Sequence, residues 1–308
     1  MCLSTPLWVR CTLLLLSPHS RKEIRPMLPY LRLCRTCLLG FAALLVLPVL
    51  AQTENQPPFI TTPAEVVERM LSIAGIKADD FVIDLGSGDG RIVITAAKQF
   101  GARGLGVDLN ARLVKLSQES AEREGVAQRV TFEMQDVLRT DISRASVVTL
   151  YLLPGLLERL KDKLLTELKP GARIVSHSFI FISWHPDRSE RVRLQKPHPG
   201  QGDESMIHLW IVPAEVRGAW RATSPEAGND WRLRIHQNFQ DIEVEATSAG
   251  KAITVREARL TGDRIEWSGM LEGTPVHYLG RVSGKRIEGE IALGKGAQPR
   301  PLSLERIR

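Results

Sequence analysis

Beyond residue 37 the chain has no cysteine; all four (Cys2, Cys11, Cys34 and Cys37) fall within the first 51 of 308 residues. The body therefore has no disulfide and no thiolate metal ligand. Cys34-Arg-Thr-Cys37 has C-x-x-C spacing, but it abuts an apolar run with no βαβ pattern around it, so it is not read as a redox or zinc site. Excess charge is also scarce outside this leader. The formal net charge is +6, yet residues 1–51 hold six of the 41 Lys and Arg residues against one acid, Glu23. The remaining 257 residues carry 35 bases and 34 acids. So balanced a body lacks the basic field that nucleic acid requires, and no nucleic-acid partner is expected. No G-x-x-x-x-G-K-[ST] occurs, which excludes a P-loop. The last third has no cluster of His, Asp or Cys at ligand spacing, so no metal is inferred.

What is present begins with the leader. From Met27, Arg32 and Arg35 precede an apolar run, Cys37 to Leu50, which ends in Val49-Leu50-Ala51 ahead of Gln52. Fourteen residues are too few to span a bilayer and suit a secretory segment cleaved after Ala51. The expectation is an exported, periplasmic protein. The rival reading is an uncleaved membrane anchor or an organelle-targeting peptide, with membrane association through this segment.

A length of 308 residues suggests two domains. After a polar linker, "TPAEVVERMLSIAGI" predicts a helix, with Thr62 as cap, Pro63 in the first turn and Glu65 completing a capping box. Strands and helices then alternate. Strands are expected at 81–85, 102–109, 129–136, 146–153 and 172–182, with helices over 91–100, 111–124 (capped by Asn110) and around Leu156–Leu168. Residues 183–205, rich in Pro and Arg, read as a loop, and 206–213 as one more strand of the same sheet. Beyond Val216 come short alternating runs separated by Gly and Asp turns. Two of these, 258–269 and 280–291, echo each other at 22 residues, as repeated hairpins would. The expected fold is α/β: a doubly wound, mostly parallel, Rossmann-like sheet followed by a small antiparallel β domain. The expected divisions are a leader at 1–51, the sheet domain at 52–213 and the β domain at 214–308.

The chemistry centres on "VIDLGSGDGRIVI", residues 82–94. A glycine turn between a first strand and its helix lets a nucleotide approach the backbone closely. The dinucleotide fingerprint G-x-G-x-x-G is incomplete, because Arg91 stands where its third glycine belongs. Asp84 and Asp89 flank the turn, where they would repel a pyrophosphate but suit a cationic amine. S-adenosylmethionine fits this pattern, with its methionyl ammonium, its ribose and no phosphate. Asp108, ending the second strand, is placed to accept the ribose hydroxyls. Asp136, after the third, is placed to accept from the adenine amino group. The candidate donor-binding set is Asp84, Gly86, Ser87, Gly88, Asp89, Gly90, Asp108, Asn110 and Asp136.

"DLGSGDGR", "GVDLN" and "KPGARIVSH" resemble the class I S-adenosylmethionine-dependent methyltransferases. "TPAEVVERML", "VVTLYLLP", "LKPGARIVSHSF" and Trp184-His185-Pro186-Asp187 extend the likeness, over about residues 60–213, to a narrower family. These are protein-lysine methyltransferases acting on the adenine nucleotide translocase and ATP synthase subunit c, with their bacterial relatives. The resemblance implies a methyltransferase that uses S-adenosylmethionine, with a protein lysine as acceptor. The alternatives are a small-molecule or lipid acceptor, or a non-catalytic exported binding protein working through its β domain. In open α/β sheets the pocket lies beyond the carboxyl ends of the strands. That places the acceptor side at Tyr151 and Pro154 after the fourth strand, and at His177 and the Trp184–Asp187 loop after the fifth. Each has a bland alternative: Tyr151 and His177 as hydrogen-bonded structural residues, Trp184 as packing under its loop, and the basic run Arg188, Arg191, Arg193 and Lys196 as a solvated loop.

Overall fold

The computed structural model describes residues 60–199, 202–222 and 230–307; the leader, with its four cysteines and proposed cleavage site, lies outside them. Among the described residues no helix is long and apolar enough to cross a membrane.

Helix α1 (Ala64–Ile73) buries Val66, Val67, Met70 and Leu71, the stripe that its three- and four-residue spacing predicts. Its amino terminus departs from expectation. Pro63 is the N-cap and no side chain caps the helix. Thr62 and Glu65 are drawn away by tertiary partners: the Thr62 hydroxyl meets His177, and the Glu65 carboxylate accepts the Gln195 backbone N–H. Then follow β1 (Phe81–Leu85), α2 (Arg91–Phe100), β2 (Arg103–Asp108), α3 (Ala111–Arg123), β3 (Val130–Met134), β4 (Val147–Leu150), α4 (Pro154–Glu167) and β5 (Arg173–His177). Asn110 caps α3 by accepting the Arg112 N–H at 3.0 Å, and Gly101, at φ +72°, closes α2. Two strands complete the sheet, β6 (Arg188–His198) and β7 (Gly202–Ile211).

The sheet order is β3-β2-β1-β4-β5-β7-β6, with β1 to β5 parallel, β7 antiparallel to β5, and β6 antiparallel to β7. Alternate side chains supply the two cores. Val82, Val147 and Val175 pack with α1 and α2 on one face. Ile83, Val148 and Ile174 pack with Leu157, Leu160 and Leu164 of α4 on the other.

Two expectations are corrected here. The segment 183–205 is not a loop, since most of it forms β6 and the start of β7. Its alternation was hidden because β6 is an edge strand whose outward residues are charged. The fifth strand ends at His177 rather than 182, because Ser178 adopts a left-handed φ of +66° and turns the chain away. The β6–β7 hairpin outruns β5: His177 pairs with Ile207, so residues 202–206 project past the carboxyl edge of the sheet.

The rest of the chain is a barrel. Strands β8 (Gly218–Ala222), β9 (Trp231–Asn238), β10 (Asp241–Ser248), β11 (Lys251–Thr261), β12 (Arg264–Leu271), β13 (Thr274–Ser283) and β14 (Arg286–Leu293) pair in sequence. A short strand β16 (Leu304–Arg306) joins β14 to β8 and closes the ring, while β15 (Arg300–Pro301) adds to β14. The echoed segments are the β11–β12 and β13–β14 hairpins, each turning at a glycine of φ +59°, Gly262 and Gly284. Trp220, Trp231, Trp267 and Tyr278 fill the interior.

Candidate active site

The glycine turn links β1 to α2 through three left-handed glycines, the last of them closely packed. Gly86, Gly88 and Gly90 have φ of +85°, +55° and +79°. A Cβ at Gly90 would lie 2.7 Å from the Phe132 ring and 2.8 Å from Ser117 Cβ. The N–H groups of Gly86 and Ser87 both donate to the Val107 carbonyl at 2.9 Å, holding the turn against β2. Ser117, on α3, donates its hydroxyl toward the Gly88 carbonyl at 2.9 Å and fixes the turn from the other side. Sequence reasoning missed Ser117, Phe132 and Gly106. Gly106 admits Phe132 and Ser87, which a Cβ there would meet at 2.6 and 2.8 Å. No local pattern marks them; they matter only through contacts made by the fold.

Asp84, Asp108 and Asp136 all stand at or just past the carboxyl ends of parallel strands, on the edge where the turn lies. Asp84 is 2% exposed and accepts the Thr149 hydroxyl at 2.7 Å. Burial pushes its carboxyl up to about 7; the Thr149 bond opposes this, while the charges of Asp108 and Asp89 add to it. Asp108 accepts the Gly88 N–H at 3.0 Å on one oxygen and the Asn110 N–H at 2.8 Å on the other. It thus ties turn to strand while keeping further lone pairs. Asp136 accepts the Leu138 N–H at 2.9 Å and is half-exposed. The Ser87 hydroxyl is buried and without a partner.

Asp89, expected to face a cationic amine of the ligand, is held by an arginine of the chain itself. The Arg91 guanidinium grips it through Nε and Nη2, at 2.9 and 2.5 Å, and donates from Nη1 to the Thr62 carbonyl at 2.8 Å. The pair fastens the segment before α1 to the glycine turn.

Tyr151 and His177, expected on the acceptor side, meet after β4 and at the end of β5, with ring centroids 4.1 Å apart. His177 is fully buried, with Nδ1 3.2 Å from the Thr62 hydroxyl and Nε2 3.0 Å from the Ser205 hydroxyl. Phe179 stacks on Tyr151 at 6.2 Å, and His198, from the end of β6, lies 6.1 Å from Tyr151 and 5.6 Å from His177. Exposed Leu153, Ile180 and Ile182 lie in the loops after β4 and β5.

Trp184 is not part of this group. The chain leaving His177 returns to the opposite edge of the sheet before β6 begins. There Asp187 accepts the N–H of Ile211 at 2.7 Å, and Ile211 pairs with Arg173, the first residue of β5. Trp184 is fully buried, stacks on Phe239 at 5.5 Å and gives its indole N–H to Gln240 at 2.9 Å. The assignment of Trp184 to the acceptor pocket is therefore corrected to packing. The barrel meets the sheet at this same far edge, where the Gly262 turn abuts Gly171. The basic run lies on β6, with Arg188 paired to Glu190 and Arg191 to Glu204.

Comparison with known proteins identifies the methyltransferase family. Residues 84–188 match the family model described as the ANTKMT methyltransferase domain. A protein-lysine N-methyltransferase of Saccharolobus islandicus is 46% identical over 130 residues, 42% of this chain and 81% of that protein. The adenine nucleotide translocase lysine N-methyltransferase of Mus musculus is 39% identical over 132 residues, 42% of this chain and 57% of its own. Among solved structures, an RNA methyltransferase from Salinibacter ruber in complex with S-adenosyl-L-homocysteine is 43% identical. It covers 51% of this chain and 96% of that one, with a TM-score of 0.46. The family model ends at residue 188, before the barrel begins.

Proposed function

Since this chain belongs to the ANTKMT family of S-adenosylmethionine-dependent methyltransferases, we propose that it methylates the side-chain amine of a protein lysine. The observation that carries the choice of acceptor is its 46% identity to a protein-lysine N-methyltransferase across 81% of that protein's length.

The residues at the glycine turn fit the methyl donor. Asp84 supplies a buried carboxylate for the donor's ammonium, and the backbone of Gly86 to Gly90 admits close approach. The partnerless Ser87 hydroxyl is a polar group in need of a ligand atom. Asp108, already oriented by two backbone N–H groups, takes the ribose hydroxyls, and Asp136 the adenine amino group. Leu109 and Met134, each 63% exposed beside those acids, cover the adenine faces. When bound, S-adenosylmethionine presents an electrophilic methyl group: the acceptor nitrogen's lone pair forms the new N–C bond while the C–S pair leaves with sulfur.

The protein's own part is placement. Lysine must arrive as a neutral amine, and removal from water beside the buried His177 and the half-buried Tyr151 and Phe179 disfavours its charged form. Asp89 and Arg91 tie the donor turn to Thr62, and Thr62 to His177, so donor and acceptor sides share one hydrogen-bonded frame.

The test is transfer of labelled methyl from S-adenosylmethionine into a whole-cell extract, followed by acid hydrolysis of the protein fraction. Mono-, di- or trimethyllysine carrying the label is the expected product. Label confined to RNA or to an extractable small molecule would overturn the lysine reading.

The leader's arrangement supports export with cleavage after Ala51. Amino-terminal sequencing of the mature protein should then begin at Gln52; retention of Met1 or Met27 would refute cleavage.

A further inference from the structure

His198 stands outside the donor set and outside every acceptor residue named from the sequence, yet its chemistry is unusually well defined. It ends β6, on the hairpin that projects past the carboxyl edge of the sheet. The residue is 7% exposed, and its Nε2 lies 2.9 Å from the Thr61 carbonyl oxygen. A carbonyl can only accept, so Nε2 carries a hydrogen, and in the neutral ring Nδ1 is then a lone-pair acceptor. Nδ1 is buried and has no hydrogen-bond partner. A buried acceptor without a donor is a costly vacancy unless a ligand fills it.

The position of the ring says which ligand. His198 packs 6.1 Å from Tyr151 and 5.6 Å from His177, the two residues that mark the acceptor side. Its anchor, Thr61, is followed by Thr62, which receives Arg91 from the donor turn and touches His177. The acceptor amine is itself an N–H donor, and methylation requires its own lone pair to be turned toward the methyl group.

We propose that His198 Nδ1 accepts an N–H hydrogen bond from the acceptor amine and so orients it for methylation. This rests on the lysine-methyltransferase reading and adds to it a specific amine-holding atom. His177, with both ring nitrogens already facing hydroxyl groups, instead supports the wall against which Tyr151 stacks. The bound amine keeps its N–H on Nδ1 while its lone pair faces the methyl group.

The test needs no identified protein acceptor. Two aza analogues of S-adenosylhomocysteine serve as probes, with nitrogen in place of sulfur. One carries a 2-aminoethyl arm and the other a propyl arm of similar length. Calorimetric titration of the full chain should show the amine-armed probe binding about tenfold more tightly than the propyl-armed one, the scale of one hydrogen bond made in a buried site.

Two substitutions separate amine holding from mere structure. Asparagine places an amide oxygen near the Nδ1 position, whereas glutamine places its amide N–H near Nε2 and preserves only the tie to Thr61. H198N should keep most of the preference for the amine arm, and H198Q should lose it. Both should still bind S-adenosylhomocysteine. The reverse order, with H198Q retaining the preference and H198N losing it, would make His198 a structural tie and overturn the proposal. No preference for the amine arm in the unmodified protein would overturn it too. Failure of the unmodified protein to bind S-adenosylhomocysteine at all would instead strike the donor-site reading beneath it.

Discussion

Replacing Asp84 with asparagine should make the ligand-free protein more stable and a worse binder, with a pH dependence that identifies the cause. Asp84 is sealed beneath the glycine turn, and burial lifts its carboxyl from 3.8 to about 7. Between those two values the folded protein holds a proton that the unfolded chain has released. Stability therefore falls as pH rises through the window and levels off above about 7. At roughly 1.4 kcal/mol per pH unit the whole window is worth about 4 kcal/mol, of which about 3 kcal/mol falls between pH 5 and 8. Asparagine copies the protonated acid, keeps an oxygen for the Thr149 hydroxyl, and cannot ionise. Asp84→Asn should thus gain on the unmodified protein as pH rises, and urea unfolding at pH 5, 6, 7 and 8 reads the difference directly. A difference that stays flat across that range would refute a carboxyl that titrates near neutrality.

The donor reverses the sign. A cationic amine beside Asp84 favours the carboxylate, so binding below about pH 7 must release one proton. Affinity should then rise about tenfold per pH unit up to that point. Calorimetry in two buffers of different ionisation enthalpy measures the released proton. Asp84→Asn should release none and bind far more weakly. A variant that is more stable yet less able to bind is what a charge kept in the wrong environment for its ligand's sake should produce.

Asp108→Ala removes the acceptor for two backbone N–H groups and for the ribose; S-adenosylhomocysteine affinity should drop at least about a hundredfold. A loss below about threefold would take Asp108 out of the site. Gly90→Ala forces a Cβ against Phe132 and Ser117 at φ +79°. It should cost about 1–3 kcal/mol in urea unfolding, and a neutral result would mean the turn relaxes freely. Trp184→Phe forfeits the bond to Gln240. It should lower the melting temperature while leaving S-adenosylhomocysteine affinity within about twofold, on the scale of a single lost hydrogen bond; a selective loss of affinity would return Trp184 to the binding site.

What could be read from the sequence was local or periodic. Three strand-end acids and a glycine turn stand in fixed relation to β1, β2 and β3, so the turn's chemistry is visible without coordinates. The barrel hairpins were equally legible, because Gly262 and Gly284 punctuate alternating runs. Reading failed where a residue's partner is distant in sequence. Thr62 has the local signature of a helix cap, yet its hydroxyl meets His177, 115 residues away. Glu65 fails to close its capping box because Gln195, 130 residues away, claims its carboxylate. Asp89 was expected to face a ligand's cationic amine, but Arg91 turns back on it and reaches Thr62 as well. β6 escaped notice because charged outward positions and Pro197 gave an edge strand the composition of a loop.

A β domain after a catalytic sheet invites the idea that it presents substrate, but its location argues otherwise. Phe239, Gln240 and the Gly262 turn all meet the sheet near Trp184 and Gly171, at the amino edge of β5. The glycine turn, Tyr151 and His177 lie at the carboxyl edge, and the sheet itself stands between the two edges. Acceptor selection must then come from what surrounds the carboxyl edge: the Thr61–Thr62 entry into α1, the overhanging β6–β7 hairpin that carries His198, and the exposed Leu153, Ile180 and Ile182. At the far edge the barrel packs Phe239 on Trp184 and ties Gln240 to the Trp184 indole and the His185 carbonyl, fastening the return that leads into β6.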